Sequence, residues 1–168
     1  MTAAPFRVKR LEKEDRASFE CGKDELDRYF RKQIGQDIRR QVTTGFIALH
    51  ETTGTIAGFY TLSATHVPFT DLNDDWRRKL PAYSTLPAVL VGRLAVDRRF
   101  RRRSLGSALL ADAAMRAVQS DIAARFLVVD ALDEDAVLFY QHHGFRRVPG
   151  NENRLFIPLS LLEKLISG

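Results

Sequence analysis

A chain of 168 residues with 45% hydrophobic and 10% aromatic side chains has the length of one ordinary domain and the apolar content for a sizeable core, so one compact domain over residues 1–168 is expected. The single cysteine, Cys21, excludes an internal disulfide, and no Cys/His grouping has the spacing of a zinc site, so no metal is expected. A net charge of +5 conceals clustered arginines, Arg39 with Arg40, Arg77 with Arg78, Arg98 to Arg103 and Arg146 with Arg147, which suit phosphate-bearing partners; a solvated face is the commoner reading of any single pair, and the Arg98 to Arg103 group has the sharper claim.

From Phe6 to Leu11 apolar and charged residues alternate as in a half-buried strand, unlike the core of a signal peptide. With no long apolar run at either end, a cytoplasmic protein without a membrane span is expected. After Gly22, the spacing of Leu26, Tyr29, Phe30 and Ile34 predicts an amphipathic helix. Thr44–His50 and Thr55–Ser63 read as strands around the short turn Glu51–Gly54, an antiparallel hairpin. Phe69 to Pro87 reads as a loop with a short helix near Trp76. An apolar strand, Ala88–Val96, interrupted by Gly92 and Arg93, then leads to a helix over Ser104–Gln119. Phe126–Ala131 is a further short strand. Asp133 caps a helix through Tyr140 that Gly144 ends, and Phe145–Val148 with Arg154–Leu159 close the chain as strands. This order predicts an α/β fold: a mixed sheet with helices on both faces.

Chemistry concentrates where the strand ending at Val96 passes through an arginine-rich turn into the helix at Ser104-Leu105-Gly106. A helix N-terminus presents unpaired N–H groups to anions, Gly106 removes a side chain where a phosphate would approach, and the arginines add charge-assisted bonds. An ordinary loop entering an ordinary helix has the same outline. The run Arg101-Arg102-Arg103-Ser104-Leu105-Gly106 resembles the Q/R-x-x-G-x-G/A acetyl-CoA signature of GNAT acetyltransferases, with Ser104 in place of the first glycine. Ala136 to Phe145 is similar to the A-x-x-F-Y-x-x-x-G-F segment of the same superfamily. A finer resemblance, to the GNAT toxins of type II toxin–antitoxin systems, lies in Phe19-Glu20-Cys21-Gly22, in Glu25 to Phe30, and in Leu86-Pro87-Ala88 running into Gly92-Arg93-Leu94-Ala95-Val96-Asp97.

The resemblance implies a GNAT fold whose two central parallel strands splay, with acetyl-CoA entering between the strand through Leu94, Ala95 and Val96 and the strand through Val128 to Asp130. It assigns cofactor contacts to Leu94, Ala95, Val96, Arg101, Arg102, Arg103, Ser104, Leu105, Gly106 and Ser107, and proton donation to the leaving thiolate to Tyr140. Phenols titrate near ~10 and thiols near ~8.5, so that transfer is only modestly uphill. The toxin resemblance further implies aminoacyl-tRNA as acceptor, a homodimer, and a ribbon-helix-helix antitoxin. Arg39, Arg40, Arg77 and Arg78 are the candidate tRNA contacts. Cys21 reads as a packing residue, and His142 and His143 as polar residues at a helix end. Two alternatives stand beside the toxin reading: a GNAT acting on a small amine or a protein amino group, and a non-catalytic acyl-CoA sensor or corepressor.

Overall fold

The computed structural model describes residues 5–167. Seven strands, β1 (Phe6–Arg10), β2 (Thr44–His50), β3 (Ile56–Pro68), β4 (Thr85–Val96), β5 (Phe126–Asp130), β6 (Arg146–Val148) and β7 (Asn151–Pro158), follow the order β1-β2-β3-β4-β5-β7-β6. Helices α1 (Asp24–Arg28), α2 (Ile34–Arg39), α3 (Asp74–Lys79), α4 (Leu105–Gln119), α5 (Glu134–His142) and α6 (Leu159–Ser167) flank them. The chain divides into two compact units, one of residues up to Ser63 with Gly92–Ala113, the other of Ala64–Val91 with residues from Ala114 onward.

In the first unit the predicted hairpin forms: β2 and β3 pair antiparallel from Thr44 opposite Leu62 to Leu49 opposite Ile56, with one irregularity after Ala48, and β1 adds on the outer edge of β2. The helix expected after Gly22 is interrupted. Between α1 and α2 runs a π-helical turn, Tyr29–Gln33, in which the Ile34 N–H bonds the Tyr29 carbonyl five residues back. An uninterrupted α-helix would set residues five apart about 140° from one another. The wider turn lets Tyr29, Phe30 and Ile34 all bury in the cluster with Phe19, Ile47 and Phe59. Phe30 stacks on Phe59 at 4.3 Å.

A second cluster joins Ala48, Ala57, Phe100, Leu105 and Leu109. It anchors the start of α4 on β2 and β3. Gly58 is what permits this approach, because a Cβ there would lie 2.8 Å from Leu109 Cδ1 and 3.0 Å from the Ala95 carbonyl oxygen. Since the carbonyl belongs to a strand that cannot yield, Gly58→Ala is expected to destabilise the fold by about 1–3 kcal/mol, read as a lowered midpoint in thermal unfolding.

In the second unit β4 and β5 run parallel, from Ala88 opposite Phe126 to Val91 opposite Val129. The parallel ladder ends at Val91 opposite Val129, one residue before β5 itself ends at Asp130. On its other side β5 pairs antiparallel with β7, and β7 with β6. The short helix near Trp76 is α3, capped by the Asn73 side chain, which accepts from the Trp76 N–H at 2.9 Å. Trp76 meets Phe156 edge-on at 4.7 Å. Asp133 caps α5 as predicted, accepting from the Ala136 N–H at 3.0 Å, and Gly144 follows with φ +93°.

The structure corrects the sequence reading at three ends. β3 continues to Pro68 and β4 begins at Thr85, so the intervening loop is shorter than expected. The last strand stops at Pro158, and Leu159, expected within it, opens α6. On α4, Asp112 accepts a hydrogen bond from the Tyr60 hydroxyl.

Candidate active site

The arginine-rich turn lies in the first unit. Residues Arg98–Phe100 form one 3₁₀ turn, after which the backbone adopts left-handed conformations at Arg102 (φ +64°) and Ser104 (φ +56°) before α4 begins. The helix starts with Ala108 N–H bonding the Ser104 carbonyl at 3.1 Å. A left-handed turn feeding a helix N-terminus gathers backbone N–H groups into the kind of concavity that holds anions. Leu105 is buried and pins the helix start, while Arg101, Arg102, Arg103 and Ser104 are exposed and Gly106 and Ser107 partly so. Ser104 occupies the signature's glycine position in a backbone region that disfavours a Cβ by about 1–2 kcal/mol.

The arginines do not act alike. Arg99 grips the buried carboxylate of Asp97 in a two-pronged pair, Nε to Oδ1 and Nη2 to Oδ2, each 2.9 Å. Burial alone would raise the Asp97 carboxyl, but bonds from the Arg99 side chain and from the N–H groups of Arg99 and Glu20 outweigh it and hold it below the usual carboxylate range. Arg98 pairs with Glu20 at 2.7 Å, Arg101 donates to the Cys21 carbonyl, and Arg103 lies 5.5 Å over the Phe100 ring. Arg102 has no such partner among the described residues and projects from a left-handed position.

Along β4, Ala95 is buried and Leu94 and Val96 half-buried. Just before them Arg93, exposed, lies over Tyr29 with its guanidinium carbon 3.6 Å from the ring centroid. Burial and a hydrogen bond donated to Asp37 at 2.9 Å push the Tyr29 phenol up to about 12. Sequence reasoning missed this pairing. Its one trace there is a charged residue in the middle of an apolar strand.

Tyr140 belongs to the second unit, on the inner face of α5, where its ring meets Phe139 at 5.2 Å and Phe145 at 5.6 Å. It is buried, yet its hydroxyl has no hydrogen-bond partner among the described residues. Burial first, and the nearby Asp130 charge second, push its phenol well above the ordinary range. Asp130 itself is held by Arg154 at 2.8 and 3.1 Å. His143 packs its ring against Phe139 at 4.9 Å, and burial lowers its pKa. Cys21 is buried and burial pushes its thiol up to about 11, the state of a packing residue and not of a nucleophile.

Of the candidate acceptor contacts, Arg39 and Arg40 end α2, exposed and without ion-pair partners among the described residues. Arg77 pairs with Asp74 at 2.7 Å and Arg78 with Asp75, both within α3. Among the described residues no group of three or more His, Cys, Asp or Glu is arranged to hold a metal ion, and no helix is long and apolar enough to cross a membrane.

The strand, left-handed turn and helix have the layout of an acyl-CoA signature, and the family profile of the acetyltransferase (GNAT) family matches residues 8–145. The chain belongs to the GNAT acetyltransferase family. Its GNAT relatives include the tRNA-acetylating toxin of Mycobacterium tuberculosis, 34% identical over 98% of this chain and 96% of that protein. Among solved structures, AtaT complexed with acetyl-methionyl-tRNAfMet superposes with a TM-score of 0.87 at 28% identity, covering 96% of this chain and 99% of that one. A tyrosine-to-phenylalanine variant of AtaT, bound to the C-terminus of the antitoxin AtaR and to acetyl-CoA, superposes with a TM-score of 0.83 at 26% identity, covering 98% of this chain and all of that one. The GNAT assignment makes this chain an acyltransferase by fold and family, and its mixed sheet contains the parallel pair β4 and β5.

Proposed function

We propose that this GNAT enzyme, a single acetyltransferase domain, transfers the acetyl group of acetyl-CoA to the α-amino group of aminoacyl-tRNA and acts as the toxin of a toxin–antitoxin pair. The observation that carries the cofactor half is the turn through left-handed Arg102 and Ser104 into α4, with Arg102 unpartnered beside it. It fits a pyrophosphate in both charge and backbone geometry. In this reading the backbone N–H groups of Arg101, Ser104, Leu105, Gly106 and Ser107 and the side chains of Arg102 and Arg103 hold the phosphates, and Leu94, Ala95 and Val96 line the pantetheine arm. The acceptor half is supported by relatives that act on tRNA, one of them seen with an acetylated aminoacyl-tRNA.

Acetyl-CoA supplies an activated thioester carbonyl. The neutral acceptor amine attacks it, the C–N bond forms, and the C–S bond breaks. Tyr140 gives its phenolic proton to the departing thiolate and recovers one from the acylated nitrogen through solvent. An unblocked α-amino group titrates near ~8, so the acceptor needs no strong base at neutral pH. We also propose a cytoplasmic homodimer neutralised by a ribbon-helix-helix antitoxin. Binding of AtaT to its antitoxin AtaR supports the partner class.

Calorimetry tests the cofactor half. Wild-type protein should show saturable acetyl-CoA binding, and Gly106→Val, which sets a branched side chain where the pyrophosphate approaches, should weaken it strongly. Wild-type protein that fails to bind at millimolar acetyl-CoA would remove the proposal's foundation.

A further inference from the structure

The segment Phe19 to Gly22 takes no chemical role in the function proposed above, yet its polar groups converge on the arginine-rich turn. The Asp97 carboxylate, fully buried, accepts from the Glu20 N–H at 3.0 Å as well as from the Arg99 N–H and both prongs of the Arg99 guanidinium at 2.9 Å. The Arg98 N–H donates to the Glu20 carbonyl at 2.9 Å, and the Arg98 guanidinium donates to the Glu20 carboxylate at 2.7 Å. Arg101 crosses Gly22 to reach the Cys21 carbonyl. Gly22 sits at φ +91°, and a Cβ there would come within 2.7 Å of Arg101 Nη2. The segment is in turn tied to the first helix: the Cys21 N–H donates to the buried Asp27 carboxylate at 2.8 Å, and Arg31 Nε donates to the Phe19 carbonyl at 2.8 Å.

Of the five arginines in the turn, Arg98, Arg99 and Arg101 are therefore held by the protein itself, which leaves Arg102 and Arg103 as the pair without an ion-pair or hydrogen-bond partner among the described residues. Basic residues engaged in this way hold backbone geometry more than they offer charge to a ligand. A buried carboxylate with four donors is a rigid hub, because moving any one donor leaves charge unpaired in a desolvated place. We propose that Asp97 and the Glu20–Gly22 loop form a positioning clasp for the cofactor turn, holding the backbone that leads into left-handed Arg102 and Ser104 and so setting the affinity for acetyl-CoA. None of these residues touches the reacting atoms in this scheme. Asp97 is the central positioning residue, and the inference rests on acetyl-CoA binding at that turn.

The test separates affinity from stability. Asp97→Asn keeps the volume and removes the charge, and Gly22→Ala evicts Arg101 from the Cys21 carbonyl. For each variant, thermal unfolding, the calorimetric Kd for acetyl-CoA, and kcat and KM for acetyl-CoA at saturating acceptor are measured. The clasp predicts Kd and KM for acetyl-CoA raised on the order of tenfold, with kcat and the acceptor KM held near wild type. If Asp97→Asn does not accumulate as folded protein, Arg99→Lys, which keeps the charge and loses the two-pronged geometry, decides together with Gly22→Ala. A lowered unfolding midpoint with wild-type Kd and KM would overturn the clasp and leave a brace of the fold only. Failure of the wild-type protein itself to bind acetyl-CoA is a distinct result, which overturns the cofactor reading and the clasp with it.

Discussion

Tyr140→Phe should fold, melt and bind acetyl-CoA like the wild-type protein and yet transfer acetyl groups roughly a hundredfold to ten-thousandfold more slowly, the usual loss when a general acid is removed. The first half follows from the packing. The hydroxyl makes no hydrogen bond among the described residues, so deleting it strands no partner, while the ring contacts to Phe139 and Phe145 remain. The second half follows from the chemistry of the leaving group. Burial and the charge of Asp130 make the phenol a weaker acid than in water, which widens the modest gap expected from ordinary phenols and thiols. The same desolvation raises the basicity of a thiolate released beside it, so the two shifts offset one another. A tyrosine in an apolar pocket thus stays fully protonated until a charge appears that needs its proton.

The raised phenol also has a sign that can be checked. A pKa above its ordinary value of about 10 means that the acid form persists through the alkaline range. Single-turnover rates should therefore rise with pH as the acceptor amine loses its proton, then stay level to about pH 9.5. A fall between pH 8 and 9.5, or full activity in Tyr140→Phe, would hand the proton transfer to water or another group.

The parts legible in the sequence were those whose cause is local. Alternation marked β1, the turn Glu51–Gly54 marked the hairpin, and Asp133 and Gly144 marked the two ends of α5 because caps act on their own neighbours. Features set by distant partners were not legible. The π-helical turn exists because Tyr29 and Ile34 must share one core, and nothing in Tyr29–Gln33 alone requires it. Likewise the six basic or aromatic characters of Arg98 to Arg103 look alike as letters, whereas their roles diverge once Glu20, Cys21 and Asp97 are brought against them. Ser104 is an intermediate case. Its departure from the signature glycine was visible, but the left-handed backbone that makes the departure costly was not.

Acceptor choice carries the largest predicted effect in the other direction: acetyl should pass to charged tRNA in strong preference to free amino acids, polyamines or lysine side chains. The two candidate arginine pairs should not contribute equally. Arg77 and Arg78 already have carboxylate partners one helical turn away, and such exposed pairs are worth about 0–1 kcal/mol, so they can be exchanged for phosphates with little net gain. Arg39 and Arg40, exposed at the end of α2 and unpaired among the described residues, lose nothing when a phosphate approaches. Reversing Arg39 and Arg40 to Glu is therefore expected to weaken tRNA acetylation more than reversing Arg77 and Arg78, with acetyl-CoA binding intact in both. Each lost phosphate contact should also flatten the dependence of log affinity on log salt by about 0.7 to 0.9. The decisive assay incubates the protein with radiolabelled acetyl-CoA and either charged tRNA or the same pool deacylated. Label retained on charged tRNA alone, falling steeply with salt and less steeply in the Arg39/Arg40 variant, is the expected outcome. Transfer to spermine or a basic peptide with none to charged tRNA would place this enzyme in the small-amine or protein-acetylating branch, and equal losses from both arginine pairs would refute the ranking drawn from their ion pairs.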